Sequence, residues 1–525
     1  MLKQLSLESK FKIYLSILAV AGIVFALIAT SKYGAGVSSD AVRNLSTAEN
    51  LLAGKGFVDL TGAPFLLWPP LYPLLLAGLS LITKWSVFQS GWYLDIFLYA
   101  VNIWIMGWFL FSIFKVKPAY AFVGALMVLL SRSTLRLYAN VASEPLFVTF
   151  MLIFFFAAAK YLKDASRSAL WWMFIMAGLA TLQRYLGVVL IGTAGLVVLY
   201  KEQLRGIWRA ALPILSAVLP TLAWMVLHNY VVSGTLAGPR DTSAMLPLEN
   251  ISLSLTKILW WFIPRAGILD TIVLQPWIPI GIFILILILI NKKSNWMDWL
   301  KAVSEPLVWP AILFSVVYYF VVAFAVVTAD HLDLTSDRYY VIILPVVLAF
   351  LFITLDKLVF SHINFDHRFV SFGLIAIVAL WFAYPIYSIQ EYLRLAVVMG
   401  EPTNYNVANS SLFREKSVVK AAQPIFASDP SAAIYTNYVG IVWFIFQRPV
   451  AELPLENPAL PREQRIEGLQ KYYPNWPPKS GYIIFFTPNQ YHYVAPPDEV
   501  AAIANLKLIY QDKTGQIYYV QAKSP

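Results

Sequence analysis

The stretch SSDAVRNLSTAENLLAGKGFVDLTGAPFLLWPPLYP, Ser38 to Pro73, decides how the rest of this chain is read. It follows one apolar run, Phe11–Thr30, long enough to cross a bilayer, and it carries an acid, Asp40, close to its start. Behind Asp40 lies AVRNLSTAENLL, where Val42, Leu45, Ala48 and Leu52 recur at helical spacing. A short amphipathic helix is therefore expected, closed by Gly54 and Gly56. Trp68-Pro-Pro-Leu-Tyr-Pro73 then turns the chain back into an apolar segment. A carboxylate just outside a first spanning helix, a surface helix and a proline-rich return place a chemistry-bearing loop directly against a membrane.

The remaining sequence agrees with a membrane setting. Of 525 residues, 59% are hydrophobic and 13% charged, whereas soluble domains run at roughly 45–50% and about 25%. Hydropathy marks spans at 11–30, 93–114, 119–135, 145–161, 169–183, 186–200, 209–228, 272–291, 307–328, 339–356 and 369–388, about eleven in all. The net charge of +10 is not gathered in one patch. Lys and Arg recur in short clusters between apolar runs, the pattern of a membrane protein rather than a nucleic-acid binder. The chain has no cysteine, which excludes disulfides, thiol redox pairs and zinc-thiolate sites. Phe11–Thr30 lacks a small-residue cleavage site and is followed by many spans, so it reads as an uncleaved first helix.

Two apolar stretches, 66–82 and 253–263, are short or broken by proline and polar residues. If neither crosses, the connections bearing Lys3/Lys10/Lys12, Lys115/Lys117, Lys160/Lys163/Arg167, Lys201/Arg205/Arg209, Lys292/Lys293/Lys301 and Lys357/Arg368 fall on one side. Short basic loops belong in the cytoplasm, so both stretches are expected to be re-entrant or interfacial. The opposite side collects 31–69, 132–144, 184–185, 228–250, 328–338 and everything beyond Gln390. Residues 390–525 form no apolar run of spanning length. Strand-like pieces at 432–437, 481–486, 506–511 and 517–522 alternate with helix-like pieces near 438–446, 462–470 and 497–504. The expected architecture is a polytopic α-helical membrane protein, 1–389, followed by a small extracytoplasmic α/β domain, 390–525, ending in a hairpin at Lys513-Thr514-Gly515.

On the expected outer face several residues carry chemistry, each with a plainer reading beside it. Asp40 is a candidate base and equally a helix N-cap. Glu144, in Ser143-Glu-Pro145, is a second acid and also reads as a helix start. Arg43, Arg184 and Arg338 can meet a phosphate; Arg184 and Arg338 also suit cations at a span boundary. Lys55, Arg240 and Arg265 are weaker candidates of the same kind. Trp68, Tyr72, Tyr185 and Tyr339 fit an interfacial belt or sugar stacking. Asp330, His331 and Asp333 sit in one loop, too close together in sequence to encircle a cation unaided.

With the Ser38–Pro73 loop, Ser143-Glu-Pro145, Arg184-Tyr185 and Asp337-Arg-Tyr-Tyr340 in this order, the chain resembles the integral-membrane C superfamily of polyprenol-phosphate-dependent glycosyltransferases. Nearest in pattern are the protein O-mannosyltransferases and the aminoarabinose transferases that modify lipid A. The resemblance implies inverting transfer of a sugar from a polyprenyl-phosphate donor to an extracytoplasmic lipid, glycan or protein, in the plasma membrane. It implies that Asp40 is the general base and that Glu144 assists it or orients the acceptor. Arg184, Arg338 and Arg43 would bind the departing phosphate, and Tyr72, Trp68, Tyr185 and Tyr339 would contact acceptor or sugar. Members with a lipid diphosphate donor carry an Asp-x-Asp motif in these loops; its absence here implies a monophosphate donor, no cofactor and no metal. Membrane lipids are the other partners, and the oligomeric state stays open. The rival reading from another class is a transporter or lipid flippase, which should show paired broken helices in two halves.

Overall fold

The computed structural model describes residues 6–238, 247–263, 272–325, 337–360, 368–400, 408–489 and 493–522. Asp330, His331, Asp333, Arg240 and Arg265 lie outside the described residues. The chain divides into two compact units, one of residues 1–28, 66–75 and 89–394 and one of residues 29–65, 76–88 and 395–525.

The first unit is helical. Among the described residues four helices are long and apolar enough to cross a membrane, Leu7–Ala29, Val87–Ser112, Glu144–Asp164 and the stretch Tyr185–Ser233, and a bent pair, Pro118–Leu130 with Arg132–Tyr138, makes a fifth if it is counted as one span. The 23 residues of Leu7–Ala29 reach about 34 Å at 1.5 Å each, enough for a core of roughly 30 Å. The 49 residues of Tyr185–Ser233 reach about 73 Å, more than twice that thickness. They are interrupted at Gln203, with φ 56° and ψ −154°. That break falls in the basic segment between the expected spans 186–200 and 209–228. Shorter apolar helices cover Leu71–Thr83, Trp277–Ile290 and Trp309–Ala325. The 13 residues of Leu71–Thr83 reach only about 20 Å, too short to cross. The expected count of about eleven spans is not established by the described residues, among which several apolar helices are short and one pair is bent.

Local sequence sets these boundaries. Ser131 Oγ accepts the Thr134 N–H and starts a new helix that bends 61° away from Pro118–Leu130. Ser166 Oγ caps Arg167–Gln183 through the Ala169 N–H. Small residues let the helices close up: a Cβ on Gly178 would lie 2.8 Å from Ala217 Cα, so only glycine permits that approach.

In the second unit a five-stranded sheet has the order β2-β1-β3-β5-β4. The strands are β1 Ala433–Thr436, β2 Ala451–Glu452, β3 Gly481–Phe486, β4 Leu506–Asp512 and β5 Gly515–Val520. β1 runs parallel to β2 and β3, while β5 is antiparallel to β3 and β4. The β4–β5 hairpin turns at Lys513-Thr514, where Asp512 Oδ1 accepts the Thr514 N–H at 2.8 Å and its hydroxyl at 2.6 Å. A core of Tyr435, Leu453, Ile483, Phe485, Val500 and Val520 lies against it. Helix Ser417–Ser428 and the short β2 were not expected from sequence. Helix Ser39–Leu52 packs on Val439–Phe446 within this unit, with Gly440 against Val42. Asn409 Nδ2 donates to the Ala35 carbonyl at 3.0 Å, and the Ala408 N–H to the Val37 carbonyl at 2.9 Å. The first loop therefore folds with the C-terminal domain.

Candidate active site

In the first unit, the ends of three helical elements bring Glu144, Arg184 and Arg338 together. Glu144 opens helix Glu144–Asp164, Arg184 follows Arg167–Gln183, and Arg338 starts the short helix Arg338–Val341. Glu144 Oε1 lies 2.7 Å from Arg184 Nη1 and 3.8 Å from Arg338 Nε. The carboxylate is 2% exposed, the two guanidinium groups 16% and 28%. Leaving such an acid unpaired would be costly, and two cations that converge on it would repel each other without it.

Ser143 shows why the sequence folds this way. A serine before Glu-Pro was expected to cap the helix, yet its side chain makes no cap hydrogen bond. Its Oγ instead accepts from Arg184 Nη1 at 2.9 Å, and its carbonyl accepts from Gln183 Nε2 at 3.0 Å. The Arg184 segment is thereby tied to the start of the Glu144 helix. Arg338 is held from its own side: Nη2 donates to the Tyr339 hydroxyl at 2.7 Å, and Ser133 hydrogen-bonds the neighbouring Asp337 carboxylate. Both guanidinium groups flank the Tyr339 ring, with carbons 5.8 Å (Arg184) and 4.8 Å (Arg338) from its centroid. Tyr318 donates to the Tyr339 carbonyl at 3.2 Å. Arg184 Nε is buried with no acceptor. A planar donor set, pinned from behind and with an N–H still unmet, is suited to an oxyanion such as a phosphate.

Other expected residues lie elsewhere. Tyr185 Oη accepts from Asn229 Nδ2 at 2.8 Å and Trp224 Nε1 at 3.2 Å, in a cluster where Trp224 stacks on His228. Trp68 is half-buried in the segment ahead of Leu71–Thr83. Tyr72 is buried, and its hydroxyl donates to Asp95 Oδ2 at 3.3 Å. Asp95 was not singled out from sequence, although an acid inside the apolar run 93–114 is itself a signal, since such residues are expensive in a span.

The second unit holds Asp40 and Arg43. Helix Ser39–Leu52 is capped by Ser38, whose Oγ accepts the Ala41 N–H at 3.3 Å, so Asp40 is not the cap. It sits in the first turn, half-buried, where a negative charge is favoured by the helix dipole. Arg43 Nη1 pairs with Asp59 Oδ2 at 2.6 Å. Asp59 is 3% exposed; its other oxygen accepts from Thr61 N–H and hydroxyl and from Ala63 N–H at 2.9, 2.7 and 3.2 Å. Lys55 is exposed. Among the described residues no group of three His, Cys, Asp or Glu side chains converges as a metal site would.

The sequence matches no family model and no curated protein. Solved structures do resemble this one. ArnT from Cupriavidus metallidurans bound to undecaprenyl phosphate shares 13% identity over 98% of each chain, with a TM-score of 0.54. The archaeal oligosaccharyltransferase AglB from Archaeoglobus fulgidus, in complex with an inhibitory peptide and a dolichol-phosphate, shares 10% over 92% of this chain and 70% of its own, with a TM-score of 0.52. The arabinofuranosyltransferase AftD from Mycobacteria shares 11% over 97% of this chain and 40% of its own, also at 0.52. The chain thus shares its fold with these solved glycosyltransferase structures, in line with the resemblance that the first loop and the later motifs led us to expect; at these identities the likeness is one of fold.

Proposed function

We propose that the protein is a glycosyltransferase that moves a sugar from a polyprenyl-phosphate donor to a nucleophilic oxygen of an acceptor on the extracytoplasmic face. The observation that carries this reading is the convergence of Arg184 and Arg338 on Glu144, in a fold whose solved examples hold undecaprenyl phosphate and dolichol-phosphate. In the step, the acceptor oxygen forms a bond to the anomeric carbon from the face opposite the leaving group, and the bond from that carbon to the phosphate oxygen breaks. Asp40 takes the acceptor's proton, a contribution of about 10²–10⁴ in rate. The phosphate gains negative charge as it leaves, and Arg184 and Arg338 stabilise it there. Glu144 holds the two guanidinium groups side by side; Arg43 secures the first loop through Asp59. Tyr72, Trp68, Tyr185 and Tyr339 remain the aromatic candidates for sugar or acceptor contact.

The test is transfer by purified protein in a membrane mimic, offered polyprenyl-phosphate sugars and scored by release of the free polyprenyl phosphate. Release that depends on acceptor and stops in Arg184→Gln supports the reading; donor left intact across a panel of sugars and acceptors contradicts it. Sidedness is tested separately in this cysteine-free chain: Ser38→Cys should react with an impermeant thiol reagent on intact cells and Lys163→Cys should not. The reverse would invert the topology.

A further inference from the structure

One face of helix Val87–Ser112 carries three buried polar residues at i, i+4 and i+7: Asp95, Tyr99 and Asn102, 0%, 0% and 3% exposed. Each reaches toward the segment that delivers Glu144. Asp95 Oδ2 accepts the Ala142 N–H at 3.0 Å and the Tyr72 hydroxyl at 3.3 Å. Asn102 Nδ2 donates to the Pro145 carbonyl at 2.9 Å and the Tyr138 hydroxyl at 2.8 Å, and its Oδ1 accepts from the Thr149 hydroxyl at 2.9 Å. Tyr99 stacks on Tyr138 with ring centroids 4.8 Å apart and donates to the Leu129 carbonyl at 2.9 Å. Glu144 therefore sits between two tethered neighbours, Ala142 before it and Pro145 after it.

The tethering acts at a helix start without a side-chain cap, since the Ser143 Oγ accepts from Arg184 instead. Asp95 and Asn102 hold that start through the Ala142 N–H before it and the Pro145 carbonyl within it. Polar side chains inside an apolar span are costly, so a ladder of them needs a gain elsewhere. We propose that Asp95 and Asn102 are positioning residues that fix the start of helix Glu144–Asp164, so that the Glu144 carboxylate holds Arg184 and Arg338 in place for the donor's phosphate. This rests on the reading that those two arginines bind that phosphate. Neither residue touches the lipid; both act through the backbone on either side of Glu144.

The two positions have opposite chemical demands, which makes the inference testable with isosteric changes. At Asp95 only an acceptor is used: Oδ2 takes both hydrogen bonds, while Oδ1 is buried without a partner. Asp95→Asn keeps that acceptor; Asp95→Leu removes it. At Asn102 the donor is essential: Asn102→Asp has the same shape, yet places an anion against the Pro145 carbonyl.

The full chain, purified into nanodiscs, is titrated with undecaprenyl phosphate, and its thermal midpoint is recorded alongside. Asp95→Asn should bind within about threefold of the parent. Asp95→Leu and Asn102→Asp should weaken binding roughly tenfold or more, the scale of hydrogen bonds near charged groups. If Asp95→Leu does not fold, the isosteric pair Asp95→Asn and Asn102→Asp carries the test alone. Parent-like affinity in folded Asn102→Asp, or Asp95→Asn as weak as a broken ladder, would overturn the inference, since a purely structural role moves the midpoint and leaves affinity alone. Arg184→Gln in the same titration separates the two proposals. If it binds like the parent, the phosphate reading itself fails; if it alone loses binding, only the ladder's role fails.

Discussion

Arg43 and Arg184 were both expected to meet a phosphate, and their surroundings differ in a way that sorts them. Arg43 pairs with an aspartate that is fully used: Asp59 takes the guanidinium on one oxygen and two N–H groups and a hydroxyl on the other. That arrangement is complete, and its product is a folded loop. Arg184 shares its carboxylate with a second arginine and keeps a buried Nε–H without an acceptor. An unfinished cluster is what a site for an incoming anion requires, because every donor already satisfied within the protein must be released before it can serve a ligand.

The comparison is broken most severely at Asp40. Asp40→Asn removes the proposed base without touching the cap, because Ser38 holds that position. Transfer should fall by about two orders of magnitude or more, while unfolding moves by less than about 1 kcal/mol, the helix-dipole share. Near-parent turnover would leave Asp40 a first-turn charge and nothing more. Next in size is Glu144→Gln, which leaves two guanidinium groups side by side around an amide. Stability should drop by roughly 3 kcal/mol, and undecaprenyl phosphate should bind about tenfold more weakly because the cations splay apart. Unchanged stability would mean that the carboxylate is not what holds them.

How much of this was legible beforehand follows from the kind of information each feature needs. The helix after Asp40 shows in its spacing, and β4, β5 and their turn show in alternation and in Thr514-Gly515; both are local signals. Glu144, Arg184 and Arg338 were each visible as odd charges at span ends, but their meeting is not local, since 40 residues separate the first two and 154 the last two. Serine was the misleading residue. Ser143 precedes a Glu-Pro helix start and reads as a cap, yet it makes no cap bond, whereas Ser38, Ser131 and Ser166 do cap their helices. A hydroxyl caps only when no stronger donor claims it, and Arg184 claims Ser143. Asp95 and Asn102 were passed over because an apolar average hides two polar residues in a span. Helices shorter than the bilayer, such as Trp277–Ile290, limit what hydropathy says about crossing.

A gentler check concerns the C-terminal domain. Burial and the neighbouring Glu499 carboxylate push Glu456 up to about 7 from 4.5, with Arg465 opposing. An acid whose folded value is raised holds its proton more tightly when folded, so its contribution is present below about 4.5 and is lost as pH rises through about 7. Thermal stability should therefore decline between pH 5 and 8, by on the order of 1 kcal/mol after solvent screening. Glu456→Gln should flatten that slope; a slope that persists would place its origin in another group.

The central claim is that the Glu144 cluster, rather than the Arg43–Asp59 pair, receives the donor's phosphate. Affinity for undecaprenyl phosphate in Arg184→Gln and Arg43→Gln, compared with the parent in one titration, tests it most directly. The account predicts a loss of roughly tenfold to a hundredfold for Arg184→Gln, the range of a hydrogen-bonded charge, and no more than about a twofold change for Arg43→Gln. Loss confined to Arg43→Gln, with Arg184→Gln binding like the parent, would contradict it.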